Sequence, residues 1–314
     1  MRTGFKICDI IICVCCITLL SGCDKPEAVR IIRADSAAYS GAPLPEEMTE
    51  GVELWKKYSG IDKENIESFW QDYSNSQAVK VFYPDIENRI GDKIPDIESR
   101  LGEIKSGFGK SFPEINFPEE IYGIVSPYSQ SVMLSDSLAL IALNHYLGDD
   151  YEGYNGMPVE MRALKAVQNI PLDVAEALLR VNYSFNGDSW SPLLNKMIYE
   201  GAIAAAIKQV SGVSDNAAIG VSAETFSQLK ENEASIWKDI VESGLLYSSS
   251  PKVADEMIKP YPPKRYPSRA GRYFGFRIAE SAFNRGLTIN NLLSPDFYMS
   301  ADALMQSGYS PRIK

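Results

Sequence analysis

From Val79 onward the apolar residues fall at Phe82, Ile86, Ile90, Ile94, Ile97, Leu101, Ile104 and Phe108. Steps of three and four place these side chains on one face of a helix, so the segment predicts a buried helical stripe. Pro84 and Pro95 are expected to divide it, because proline is comfortable only in a first helical turn. The same period returns at Val174, Leu178 and Val181 within Ile170 to Tyr183. It returns again at Leu194, Met197, Ile198 and Ala205, in a helix opened by Ser191-Pro192 and running to about Val210. Phe226, Leu229, Ile236, Trp237 and Ile240 predict one helix from a Ser222 cap to about Ser243. Gly271 to Asn284 also reads as a helix, with Gly271 and Gly275 on one face permitting close backbone approach. Glu53 to Tyr73 holds two helical pieces, the second capped at Asp62 and carrying Ile66, Phe69 and Trp70.

Strand patterns are shorter. Glu120 to Ser126 and Ser131 to Leu134 read as two strands around a Pro127-Tyr128-Ser129 turn, and Val29 to Ile32 can form another. Asp136 to Tyr146 is apolar and ends in the turn-rich Leu147-Gly148-Asp149-Asp150-Tyr151. Asp24 to about Glu50 lacks periodicity and reads as a tether. The expected fold class is therefore α+β: a mostly helical single domain over 51–314 with a small antiparallel sheet. A tether over 23–50 and a signal segment over 1–22 precede it.

That signal segment has a distinct pattern. Arg2 and Lys6 make a basic start, Ile7 to Leu20 is apolar apart from Asp9 and Thr18, and Ser21-Gly22 precede Cys23. A positive end, a short apolar core and small residues at the cut are the order of a secretory signal. The core is roughly 14 residues, short of the roughly 20 a spanning helix needs. Leu20-Ser21-Gly22-Cys23 resembles the lipobox of bacterial lipoproteins. That resemblance implies diacylglycerol on the Cys23 thiol, cleavage before it and a further acyl chain, such as palmitate, on the new amino group. Two or more chains anchor a protein stably.

Composition narrows the chemistry. Loss of residues 1–22 removes two cations and one anion, taking the net charge from −10 to −11. An acidic chain argues against nucleic-acid binding, which needs Lys and Arg against phosphate. All five cysteines lie within the first 23 residues, so the body has no thiol for a disulfide, a metal site or a nucleophile. With His145 the only histidine, a His-rich metal site is excluded, and a Ser-His-Asp triad would have to use that residue. Its place beside a turn predicts a structural role. Asp149 and Asp150 are too few for a calcium site, and Glu46-Glu47 and Glu119-Glu120 read as solvated acids rather than a glycosidase pair.

Asn144-His145-Tyr146-Leu147-Gly148-Asp149-Asp150-Tyr151 resembles a segment of the gliding-motility-associated lipoproteins, the GldB-like family. The likeness continues at Leu194 to Gly201, at Glu231-Asn232-Glu233 with Ile236-Trp237, and at Leu245-Leu246-Tyr247-Ser248. It closes at Ser268-Arg269-Ala270-Gly271-Arg272-Tyr273-Phe274-Gly275. The resemblance implies an envelope lipoprotein linked to gliding motility and its secretion machinery, with the outer membrane favoured over the inner.

A second resemblance is to zinc peptidases of the zincin type, in which a helix bearing His-Glu-x-x-His is followed by a helix bearing a glutamate ligand. Glu176 lies in Ala175-Glu176-Ala177-Leu178-Leu179, and Glu200 follows it by 24 residues. Both histidine positions, Ala175 and Leu179, are apolar, so the resemblance implies a peptidase-like fold without its metal, with Glu176 and Glu200 as relic positions and no cofactor. Arg269, Arg272 and Tyr273, within a basic-aromatic stretch that includes Lys264, Arg265 and Arg277, are the candidate surface for an acidic partner. The expected function is a non-catalytic binding or assembly role among envelope proteins, at a membrane reached through the lipid. A hydrolase of envelope peptide or glycan is the alternative.

Overall fold

The computed structural model describes residues 29–44, 46–59, 65–135 and 138–312; the signal segment, Cys23 and Asp62 lie outside them. Four strands, β1 (Arg30–Arg33), β2 (Glu120–Ile124), β3 (Val132–Leu134) and β4 (Leu138–Ala142), form one sheet in the order β1-β2-β4-β3. β1 runs parallel to β2 with Ile31 opposite Ile121, and β2 runs parallel to β4 with Tyr122 opposite Leu140. Only β3 is antiparallel, pairing Met133 with Leu140 at the sheet edge.

The mainly helical α+β architecture holds, and the sheet is mixed rather than wholly antiparallel. β2 and β3 do not pair with each other, because β4 lies between them. Every residue of β4 is buried, which is why its sequence, Leu-Ala-Leu-Ile-Ala, shows no alternation. The tether reading also needs correction over 30–50. Ile31 packs in the sheet, and Ala34, Asp35 and Ala38 of α1 (Ala34–Tyr39) are buried.

The helices before the sheet's centre are α2 (Thr49–Ser59), α3 (Ile66–Ser74), α4 (Gln77–Ile90) and α5 (Ile94–Ser111). Asn65 caps α3 by accepting the Glu67 amide at 2.9 Å. Pro95 sits in the first turn of α5 as expected, but Pro84 lies inside α4. A mid-helix proline costs about 3 kcal/mol. Burial of Val79, Ile86 and Ile90, each at about 1.5–3 kcal/mol, outweighs that cost.

After the sheet come α6 (Val159–Arg162), α7 (Ile170–Asn182), α8 (Leu193–Ser211), α9 (Asp215–Ile219), α10 (Ala223–Glu231) and α11 (Glu233–Glu242). They are followed by α12 (Pro251–Ile258), α13 (Ala270–Asn284), α14 (Ile289–Leu293), α15 (Pro295–Tyr298) and α16 (Ala303–Ser307). Ser222 caps α10 by accepting the Thr225 amide, but the expected helix to Ser243 is two helices. The break falls at Asn232, whose side-chain amide donates to the Gln228 carbonyl at 2.9 Å. Pro192, not Ser191, is the cap residue of α8; the Ser191 hydroxyl instead accepts the Asp188 amide at 3.0 Å.

Helix α8 is the axis of the domain. It is buried on nearly every side and packs against α5, α7 and α13. Its crossing with α13 is made by two glycines. A Cβ on Gly201 would lie 1.8 Å from the Gly275 carbonyl carbon, and a Cβ on Gly275 would lie 1.7 Å from the Met197 oxygen. No other residue type lets the two backbones come so close. Among the described residues no helix is long and apolar enough to cross a membrane.

Candidate functional site

The glycine crossing decides what happens one residue away. Glu200 precedes Gly201 on α8, and Arg272 lies one turn before Gly275 on α13, so close packing brings carboxylate and guanidinium together. Glu176 and Arg180, one turn apart on α7, complete a four-residue ionic cluster.

Arg180 Nη2 donates to Glu176 Oε1 at 2.6 Å and to Glu200 Oε2 at 2.7 Å, while its Nη1 reaches Glu200 Oε1 at 2.9 Å. Arg272 grips Glu176 with both ends of its fork, Nη1 to Oε1 at 3.0 Å and Nη2 to Oε2 at 2.8 Å. Its Nη1 also reaches Glu200 Oε2 at 3.1 Å. Each glutamate therefore meets two guanidiniums, and each guanidinium meets two glutamates. Arg272 is almost fully enclosed, with its side chain 3% exposed.

Electrostatics follow from that arrangement. Burial pushes the Glu176 carboxyl up, but the charges of Arg272 and Arg180 outweigh it and hold the group well below its ordinary range. Glu200 is likewise lowered, burial again being overcome, here by Arg180 first and Arg272 second. Carboxylates this acidic, with lone pairs already occupied, are poor general bases and cannot serve as general acids near neutral pH. As it stands, the cluster ties helices together.

The sequence positions expected to flank Glu176 in a metal-binding helix are Ala175 and Leu179, both fully buried in the core. Among the described residues no three His, Cys, Asp or Glu side chains converge. The donors at this point are two carboxylates already bonded to arginine, which do not fit a zinc ion.

Asp173, one turn before Glu176, behaves differently. Tyr146 Oη donates to its Oδ2 at 2.7 Å, and burial pushes its carboxyl up to about 6. His145 stands in the turn after β4 with Nδ1 3.0 Å from the Ser131 hydroxyl. Burial first, then the charge of Lys165, lowers it to about 4, so it is neutral at pH 7. Asp150 pairs with Arg89 at 2.7 Å and Glu119 with Lys105 at 2.7 Å, both at the surface.

The expected docking surface is corrected by burial. Arg272 is 2% exposed and Tyr273 is fully enclosed, its hydroxyl donating to Glu233 at 3.0 Å. Neither presents a face to a macromolecule. Arg269 is partly buried and donates to the Ile219 carbonyl at 2.9 Å. Lys264 and Arg265 are exposed and paired with Glu256 and Asp239. The reason is that α13 is enclosed by α8, α12 and α16, so Arg272 points inward, while Arg277 stays partly exposed and pairs with Glu233.

Sequence reasoning found Glu176 and Glu200 but missed Arg180 and the inward direction of Arg272. The four-residue step from Glu176 to Arg180 was a legible signal. The pairing across α7, α8 and α13 was not, because it depends on the glycine crossing. Beside the cluster lies a cavity of about 370 Å³, between α7, α9, the edge strand β3 and the start of α13.

Comparison with known proteins places the chain. A family model described as gliding motility protein GldB matches residues 24–311. The chain belongs to this family of gliding motility lipoproteins. Neither a curated protein nor a solved structure gives a match.

Proposed function

We propose that this protein is anchored through lipid on Cys23 and acts as a non-catalytic binding or assembly component of the gliding apparatus or its associated secretion machinery. The outer membrane is favoured over the inner as its site, and other envelope proteins are its partners. The observation that carries the non-catalytic reading is the mutual neutralisation of Glu176 and Glu200 by Arg180 and Arg272. A hydrolase using Glu176 or Glu200 would need that carboxylate free to exchange a proton near neutral pH. The lipobox-like Leu20-Ser21-Gly22-Cys23 supports the anchor, and at least two acyl chains would make the attachment stable.

The experiment is a pull-down from detergent-solubilised membranes with a C-terminally tagged wild type, set beside Cys23→Ala. The expected result is membrane fractionation and co-purification of envelope motility or secretion components with wild type only. Fractionation of Cys23→Ala with the membrane would overturn the anchor. Turnover of peptides or glycans by the purified wild type would overturn the non-catalytic role.

A further inference from the structure

The cavity beside the ionic cluster carries more positive charge than its own acids neutralise. Lys165, Arg180, Arg269 and Arg272 line it, against Asp173 and Glu176 on the wall and Glu200 just behind. Arg180 and Arg272 are committed to the two glutamates. No carboxylate lies within ion-pairing distance of Lys165 or Arg269 among the described residues; the nearest compensation is the long-range attraction of Asp173 and the cluster's acids. With Asp173 ionised, four cations face three anions, a surplus of one positive charge.

The fold spends energy to hold this surplus in place. Arg269 is the only non-glycine described residue with a left-handed backbone, at φ 57°, a conformation costing about 1–3 kcal/mol for such a residue. Its Nε is buried without a hydrogen-bond partner, as is the Nε of Arg272. Gly220 makes room for the guanidinium: a Cβ there would lie 2.1 Å from Arg269 Nη1. Burial also lowers the ammonium of Lys165, an electrostatic load that a bound anion would relieve. Most of the remaining wall is apolar, with Val132, Met161, Leu164 and Leu172 among its side chains, beside the polar Ser131 and Asn169.

We propose that this cavity binds an apolar molecule bearing a single carboxylate, which Lys165 and Arg269 neutralise while Val132, Leu164 and Leu172 cover its apolar body. A monoanion matches the surplus of one, whereas a dianionic phosphate would leave a net negative charge beside Asp173. A peptide chain end with an apolar last residue and a free alkanoic acid share this chemistry. The proposal rests on the reading of the protein as a non-catalytic binding component.

The test uses the full chain in detergent, with calorimetric titration of N-acetyl-leucyl-leucine, of its C-terminal amide, and of octanoate. The acid should bind at least about tenfold more tightly than the amide, since a charge-assisted hydrogen bond is worth more than the 1.4 kcal/mol of one decade. Lys165→Met should weaken the acid by about tenfold and leave the amide unchanged. Arg269→Gln should do the same, and melting curves check that both variants fold. Equal affinity for acid and amide, or unchanged acid binding in both folded variants, would overturn the proposal. Octanoate binding as well as the peptide acid supports a free acid as ligand; preference for the peptide acid supports a chain end. Mass spectrometry of the titrated peptide separates the two claims. Cleavage overturns the non-catalytic reading but not the carboxylate site, and absence of binding does the reverse.

Discussion

Two buried acidic clusters in this molecule reach opposite electrostatic outcomes. Asp35, at the start of α1, is fully enclosed and takes both Nε and Nη2 of Arg33 at 2.8 Å. Burial still prevails over that single bidentate pair, and the carboxyl is raised above its ordinary value. Glu176 and Glu200 are partly enclosed, yet each meets two guanidiniums and both are lowered. One cation does not recover the desolvation of a fully buried carboxylate, and two cations around a less enclosed one do. His145 completes the series: burial first and the charge of Lys165 second keep it neutral.

The comparison breaks most sharply at Arg272. Arg272→Met leaves two glutamates sharing Arg180, with a hydrophobic stem where the charge stood. Removing one partner of a buried ionic group costs about 3–5 kcal/mol. Unfolding in urea should show that loss, and the melting temperature should fall on the order of 10 °C.

Gly275→Ala attacks the same cluster without touching a charge. Its Cβ would collide with the Met197 carbonyl, so α8 and α13 must separate and Arg272 must withdraw from Glu200. The expected cost is about 3 kcal/mol, the upper end for overpacking. If the loss does not add to that of Arg272→Met in the double variant, crossing and cluster are one device.

His145→Gln sharpens the third case. Its folded pKa of about 4 lies below the unfolded value of about 6.5. The unfolded chain thus takes up the proton first, and the stability held above pH 6.5 is lost as pH falls from 6.5 towards 4. The wild type should lose up to about 3 kcal/mol over that window relative to the variant, read from urea midpoints at each pH.

Asp35→Asn should be the mildest, costing about 1.5 kcal/mol, the lower end for a lost hydrogen bond to a charged group. Because the Asp35 carboxyl is raised in the folded state, the native protein binds the extra proton. The wild type's advantage over Asp35→Asn should therefore be greatest in acid and shrink as pH rises above the unfolded value near 3.9.

Much of the frame was legible in the sequence. Helix α7 over Ile170–Asn182, the Ser222 cap and the close approach of Gly275 all follow from local period or residue size, which tertiary context did not override. What escaped depended on long-range pairing. β4 showed no alternation because both its faces are covered, so β3 was assigned to the wrong neighbour. Pro84 looked like a helix end because a proline's local cost is visible in sequence and the burial of Ile86 and Ile90 that offsets it is not. Arg272 and Tyr273 looked like a docking surface because a basic-aromatic stretch carries no sign of which way its helix faces. The two glutamates were found, and the arginines that silence them were not, since their partners come from three helices.

The central claim is that Glu176 and Glu200 are permanently ionised structural anions held by Arg180 and Arg272. A residue-assigned NMR titration of the side-chain carboxyl carbons tests it directly. The account predicts that both titrate below the ordinary glutamate range while Asp173, in the same spectrum, titrates near 6. A titration of Glu176 or Glu200 above pH 5 would contradict it and return that residue to the list of possible acid–base catalysts.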